Sequence, residues 1–222
     1  MKYFILLAVI FFGLYMNENS RPKKIIFFGD SITELAVQPG GYISILNKII
    51  KEKQREHDYE LIGAGISGNK VADLYLRLEQ DVLDKNPDVV VIFIGVNDIW
   101  HKSLLGTGTD ADKFIRFYEA IINKLLSNKI SVILTTPAVI GEHKNNSNPQ
   151  DDDLNYYSES IKELSEKYNL KLCDLRMHFV NYIEKNNIEN SESGILTYDG
   201  VHLNDMGNRF VAEKYWEIIK TL

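Results

Sequence analysis

The chain has 222 residues, 45% of them apolar, and a formal net charge of −6. That length holds one domain with a sizeable core, and that apolar share excludes wholesale disorder. The negative balance offers no basic footprint for nucleic acid or an anionic membrane surface. A lone cysteine, Cys173, leaves no intrachain disulfide and no thiolate metal cluster.

The chain opens on Lys2, an apolar stretch from Tyr3 to Met16, and polar Asn17-Glu18-Asn19-Ser20. Charged, apolar and polar regions in that order match a secretory signal. The stretch is shorter than the roughly 20 residues of a stable membrane span. No small-x-small cleavage site stands out. Residues 1–20 are therefore expected to be a signal peptide or an uncleaved N-terminal anchor. The protein is then exported (periplasmic or extracellular), or held at a membrane through that segment alone. A buried first strand or helix is the rival reading, since apolar periodicity does not separate the cases. No cysteine lies near the segment, which excludes a lipid-anchored lipoprotein. The folded domain is expected over residues 21–222.

From Lys23 onward, short apolar runs alternate with amphipathic stretches. A strand is predicted over Lys24–Phe28, a helix over Tyr42–Glu52, a strand over Tyr59–Ile62 and a helix over Val71–Leu83. Asp88–Ile94 follows as a strand whose unbroken apolar core fits a parallel strand covered on both faces. Next come a helix over Asp110–Leu126, a strand over Ile130–Thr135 and a helix over Asp152–Tyr168. Leu170–Cys173 reads as a last strand, with helices over Arg176–Lys185 and Gly207–Ile219. Asp110, Asp152 and Asp205 are plausible helix starts. The alternation argues for one α/β domain around a parallel sheet. Cys173 falls on a predicted strand, where a buried inert thiol is the expectation. Ser103–Thr109, Gly141–Gln150 and Glu189–Tyr198 are left as loops.

Four segments could carry chemistry: Gly29-Asp30-Ser31, Gly63 to Asn69, Gly95-Val96-Asn97-Asp98, and Asp199-Gly200-Val201-His202. The first three follow strands, so a parallel sheet brings them to one edge, where open α/β sheets bind ligands. A serine needs a base and a preorganised home for the oxyanion. His202 is suited to take the Ser31 proton and return it to a leaving alcohol. Asp199, three residues earlier, can reach the far imidazole nitrogen. Asn97 can donate its side-chain amide to the oxyanion. Gly65, lacking Cβ, lets substrate approach its N–H, and the Ser31 N–H near a helix start is a third donor.

These blocks resemble the motifs of the GDSL esterase/lipase family, also called SGNH hydrolases. Ser31, Gly65, Asn97 and His202 match its four namesake positions in chain order, from Gly29 to Leu203. The resemblance implies a flavodoxin-like three-layer α/β/α sandwich with a mainly parallel five-stranded sheet. It also implies a Ser-His-Asp hydrolase that uses no metal and no cofactor. Gly63 departs from the family, many members of which carry Asn there.

Other readings compete. Asp30 and Ser31 could only cap a helix, and Asn97-Asp98 could be a turn pair. Asp30 and Asp98 are expected to support their loops. Gly63-Ala64-Gly65-Ile66-Ser67-Gly68 fits the dinucleotide pattern of an NAD-dependent oxidoreductase, but that site wants an acidic residue about 20 positions on, at a strand end. Glu79, Asp81 and Asp84 fall in or at the end of a helix instead. An α/β-hydrolase elbow would need G-x-S-x-G, which Ser31 lacks.

Trp100 and Tyr198 should border the pocket or pack into the core. Gly106-Thr107-Gly108 suggests a flexible loop, a candidate lid. The expected activity is hydrolysis of short acyl esters, such as O-acetyl groups on carbohydrate, with a small-molecule or glycan ester as partner. A lysophospholipase or thioesterase on the same fold is the alternative.

Overall fold

The structure, a computed structural model, describes residues 21–222; the leader and anchor readings for residues 1–20 lie outside the described residues. Five strands form one sheet: β1 Lys23–Gly29, β2 Tyr59–Gly65, β3 Val89–Phe93, β4 Ser131–Thr135 and β5 Lys171–Cys173. Their order is β2-β1-β3-β4-β5 and every pairing is parallel. That is the flavodoxin-like order. The sheet is wholly parallel rather than mainly so.

Eight α-helices accompany the strands among the described residues: α1 Ser31–Leu35, α2 Tyr42–Glu52, α3 Val71–Asp81, α4 Val96–Leu105, α5 Ala111–Ser127, α6 Asp151–Tyr168, α7 Leu175–Asn186 and α8 Asp205–Ile219. The connection from β1 runs outward to β2, and the next returns past β1 to β3. Right-handed crossovers in opposite directions put their helices on opposite faces. Accordingly α2 packs on α8, while α3 packs on α5 and α5 on α6. Both faces are covered, so the inner strands can be apolar throughout. Ile25 to Phe28 and Val89 to Phe93 are all buried. Each such large side chain, fully buried, contributes about 1.5–3 kcal/mol.

Of two further helices, the first was anticipated only as a helix start at Asp30-Ser31 and the second not at all. α1 is a single short turn started by Asp30, whose carboxylate accepts from Ile32 N at 3.0 Å. α4 covers Asn97-Asp98 and the first part of the stretch read as loop. Gly106 ends it at φ +67, with Thr107 N bonded to His101 O at 3.0 Å and Thr109 N to Asp98 O at 2.9 Å. A Cβ at Gly108 would meet Lys102 Cγ at 2.1 Å. The candidate lid is thus a packed helix cap. No described helix is long and apolar enough to cross a membrane.

Candidate active site

The reversal of strand order beside β1 places Ser31, just past Gly29, at the crevice where such sheets take ligands. Ser31 Oγ lies 3.0 Å from His202 Nε2, although 171 positions separate the residues. His202 Nδ1 lies 2.7 Å from Asp199 Oδ2. The other oxygen, Asp199 Oδ1, accepts from His202 N at 2.7 Å and Val201 N at 3.0 Å. Partial burial opposes charge on Asp199, but the His202 side chain and these two backbone donors outweigh it and hold the carboxyl below its usual range. An ionised carboxylate can only accept, so Nδ1 carries the proton and Nε2 turns its lone pair to Ser31.

Two rings flank His202. Tyr198 stacks on it, with centroids 5.7 Å apart and an interplanar angle of 15°. Trp100 meets it edge-on at 6.5 Å. Both border the imidazole; Tyr198 is otherwise exposed, while Trp100 also packs against the core. Beside Asp199 opens a cleft of about 500 Å³, walled by Trp100, Ile140, His143, Gln150 and Glu192 among others.

The second and third blocks are stitched together. Asn97, almost fully buried, donates from Nδ2 to Asn69 O at 3.1 Å. Asp98 accepts from Val71 N at 3.2 Å and so anchors the start of α3. Ile66 N donates to Gly29 O at 3.2 Å. These contacts set the 66–70 loop against the end of β1. One proton of the Asn97 amide remains for another acceptor.

The three glycines of block two serve differently. A Cβ on Gly65 would lie 2.1 Å from Glu34 N and 2.5 Å from Thr33 C. Gly65 is therefore a glycine because α1 rests on it, not because substrate approaches it. At Gly68, φ is +76 and a Cβ would meet open space. Its N–H donates no hydrogen bond within the described residues, and neither does that of Ser31. Glu34 Oε2 accepts from Ser67 N at 2.7 Å and from the Ser67 hydroxyl, which fixes the residue before Gly68. Gly63 has its own packing reason: a Cβ there would stand 2.4 Å from Val37 Cγ1. The glycine spacing that mimics a dinucleotide site is thus set largely by packing.

The sequence offered no sign of Arg77. Its guanidinium donates to Gly29 O at 2.7 Å, Ala64 O at 3.0 Å and Asn69 Oδ1 at 2.7 Å, and it sits 4.4 Å from the Phe28 ring centroid. It braces the ends of β1 and β2 together with the block-two loop. Read alone, it is only one basic residue on an amphipathic helix.

Asp30 is buried, and desolvation first of all pushes its carboxyl up to about 7, with the Asp98 charge adding and the Ile32 N–H and His202 opposing. Burial likewise pushes Asp98 up to about 6. Both support loops, as their hydrogen bonds show. Burial pushes the Cys173 thiol up as well, which leaves it unreactive.

The comparisons with known proteins agree with this fold. The solved acetyl xylan esterase AlAXEase is 59% identical, with a TM-score of 0.87, and the match covers 88% of this chain and 99% of that one. An acetylxylan esterase of Geobacillus stearothermophilus is 28% identical over 208 residues, 87% of this chain and 92% of that protein. An uncharacterized lipoprotein, YqeF, of Bacillus subtilis (strain 168) is 25% identical over 96% of each. The family model described as GDSL-like Lipase/Acylhydrolase matches residues 27–210. With a strand-end serine, a histidine in hydrogen-bond reach and a family match across most of its length, the chain belongs to the GDSL-like Lipase/Acylhydrolase family and is an ester-hydrolysing enzyme.

Proposed function

We propose that the enzyme removes acetyl groups from carbohydrate, with acetylated xylan or its oligosaccharides as substrate, through a Ser31 acyl-enzyme. The observation that carries the reading is the relay from Ser31 Oγ to His202 Nε2 at 3.0 Å and from His202 Nδ1 to Asp199 at 2.7 Å. The names of the similar acetyl xylan esterases support the substrate. So does the cleft, whose walls include His143, Asn148, Gln150 and Glu192, a surface better matched to sugar hydroxyls than to a long acyl chain.

In the first half, Ser31 Oγ bonds to the acetyl carbonyl carbon while its proton passes to His202 Nε2. The carbonyl oxygen becomes an oxyanion. Its donors are the N–H groups of Ser31 and Gly68 and the free proton of the Asn97 amide, each worth about 3 kcal/mol of barrier if well aimed. Gly68 takes this role in place of Gly65, because Gly68 faces open space and its N–H is unengaged, whereas Thr33 and Glu34 cover Gly65. Collapse of the intermediate breaks the C–O bond to the sugar, whose oxygen takes the proton from His202. Acetyl-Ser31 remains. In the second half a water gives its proton to His202 and attacks the acetyl carbon. Acetate leaves, and Ser31 regains its proton. Asp199 holds the imidazole in the required tautomer and stabilises the imidazolium in both halves.

The test is acetate release from acetylated xylo-oligosaccharides, beside p-nitrophenyl esters of increasing chain length. Activity that rises with chain length, or that survives in Ser31→Ala, would sink the reading. The Lys2–Met16 pattern and the similar lipoprotein support export, with tethering, if any, through residues 1–20. Full-length protein recovered from the cytoplasmic fraction after expression would refute it.

A further inference from the structure

The segment that carries Asp199 and His202 has no strand or helix of its own. It is a small loop pinched by one antiparallel bridge between Thr197 and Leu203. Four hydrogen bonds close it: Tyr198 N to His202 O at 2.9 Å, Gly200 N to Thr197 Oγ1 at 3.0 Å, Asn204 N to Leu196 O at 3.0 Å and Asn204 Nδ2 to Thr197 O at 3.2 Å. Nothing in those bonds fixes the loop relative to the sheet that carries Ser31.

Glu142 supplies that link. It is completely buried. Its Oε1 accepts from Leu196 N at 2.7 Å and Thr197 N at 2.8 Å, and its Oε2 accepts from Ile195 N at 2.7 Å. No Lys, Arg or His pairs with it among the described residues. A carboxylate without a cation is costly to bury unless charge-assisted hydrogen bonds satisfy it. Here all three go to consecutive N–H groups at the base of the loop. The backbone around Glu142 joins in: Gly141 N donates to Gly200 O at 2.9 Å, Glu142 N donates to Glu192 O at 2.8 Å, and Asn187 Nδ2 donates to Glu142 O at 2.7 Å. Gly200, at φ +89, would bring a Cβ within 3.3 Å of Gly141 N. The two backbones are therefore in close contact. The loop after β4 also contributes Ile140 and Gly141 to the cleft beside Trp100. The Glu142 segment thus borders both the substrate cleft and the catalytic loop.

We propose that Glu142 is a positioning residue for catalysis: its carboxylate sets the base of the 195–204 loop, and through it the Asp199–His202 pair against Ser31. The inference rests on the Ser31–His202–Asp199 reading above. Glutamine at this position keeps the size but offers only one acceptor oxygen, and its amide points protons at N–H groups. Aspartate keeps the charge and shortens the reach.

The experiment uses the purified full chain with Glu142→Gln and Glu142→Asp. Active sites are first counted by labelling to completion with a p-nitrophenyl phosphonate. Then kcat, KM and the pH profile of p-nitrophenyl acetate hydrolysis are taken per labelled site, alongside Tm. In Glu142→Gln, kcat per site should fall on the order of 10- to 100-fold, as for a displacement near 1 Å at a reacting group. KM should stay within about threefold. The acid limb of the kcat/KM profile should move, and Glu142→Asp should fall between Gln and wild type. In an Asp199→Asn background the Glu142→Gln loss should shrink, because the two act through one imidazole. Unchanged kcat per site and an unchanged pH profile, whatever the Tm, would overturn the proposal. So would full additivity with Asp199→Asn, or failure of both variants to fold. Labelling of the wild type somewhere other than Ser31 would overturn this proposal and the site reading together.

Discussion

The two halves of the candidate active site are built by different means. Ser31, Asn97 and the Gly68 loop hang from the ends of three adjacent parallel strands, so the sheet sets their spacing. Asp199 and His202 hang on a loop with a single bridge, held by side chains that bond to backbone. The first half takes its spacing from strands packed through Ile25–Phe28 and Val89–Phe93, with polar contacts from Asn97, Asp98 and Arg77 tying in the block-two loop. The second takes it from a few polar contacts, each of which one substitution can remove. The comparison teaches that the nucleophile side should tolerate much and the acid–base side little.

The hardest blow to the strand-built half is loss of the nucleophile proposed for it. Ser31→Ala should lower kcat/KM on acetyl esters on the order of 10⁴-fold or more. Its circular dichroism and Tm should stay close to wild type, because Ser31 is only part-buried. Retained turnover would remove Ser31 from the mechanism.

On the loop-built half, Asp199→Asn should cost on the order of 10³- to 10⁴-fold in kcat, with a modest change in KM. The asparagine cannot both accept from Nδ1–H and reproduce a carboxylate's hold on the Val201 and His202 N–H groups. Steady-state kinetics on p-nitrophenyl acetate measure this, and a loss under about tenfold would assign the orientation of His202 to something else.

Within block two, the contrast between glycines can be tested directly. Gly65→Ala forces a Cβ against the backbone of Thr33 and Glu34. Overpacking of this kind costs about 1–3 kcal/mol, and here it also shifts α1 and Ser31. Gly68→Ala meets open space and carries only the strain of a positive φ, about 1 kcal/mol. Thermal melts should therefore rank Gly65→Ala below Gly68→Ala. The reverse order would undo the assignment of Gly65 to packing.

The smallest effect concerns pH. Burial raises Asp30 to about 7 and Asp98 to about 6. In the unfolded chain both release their protons near 3.9. The folded state therefore binds more protons between those values, and stability falls as pH rises through that window. Asn at position 30 keeps an acceptor for Ile32 N and removes the charge. Asp30→Asn should raise Tm by a few degrees at pH 8 and less at pH 5. An identical shift at both values would show that no buried charge is at issue.

Much of this was legible in the chain. All five strands lie where apolar runs bounded by polar residues place them, because a strand covered on both faces needs such a run. The parallel topology then required three of the four motif blocks to share an edge. α4 was not legible, and α1 only as a helix start at Asp30-Ser31. α1 is a five-residue helix, too short for periodicity. α4 begins with Asn97-Asp98, residues that favour turns, and helix wins because Asp98 is committed to the start of α3. Gly106-Thr107-Gly108 has a loop's composition, yet it caps a helix.

By itself the sequence determined the fold class and the candidate residues Ser31, Asn97, Asp199 and His202, and which edge of the sheet holds Ser31. Local apolar patterning and the geometry of parallel strands decide the fold class and the edge. Only the tertiary structure decided that α1 rests on Gly65 while Gly68 faces open space, that Trp100 and Tyr198 border His202, and that Glu142 grips the 195–204 loop. These are contacts between segments far apart in the chain, 55 positions for Glu142 and Thr197. Neither propensity nor spacing encodes them, since they exist only once the core has brought the segments together.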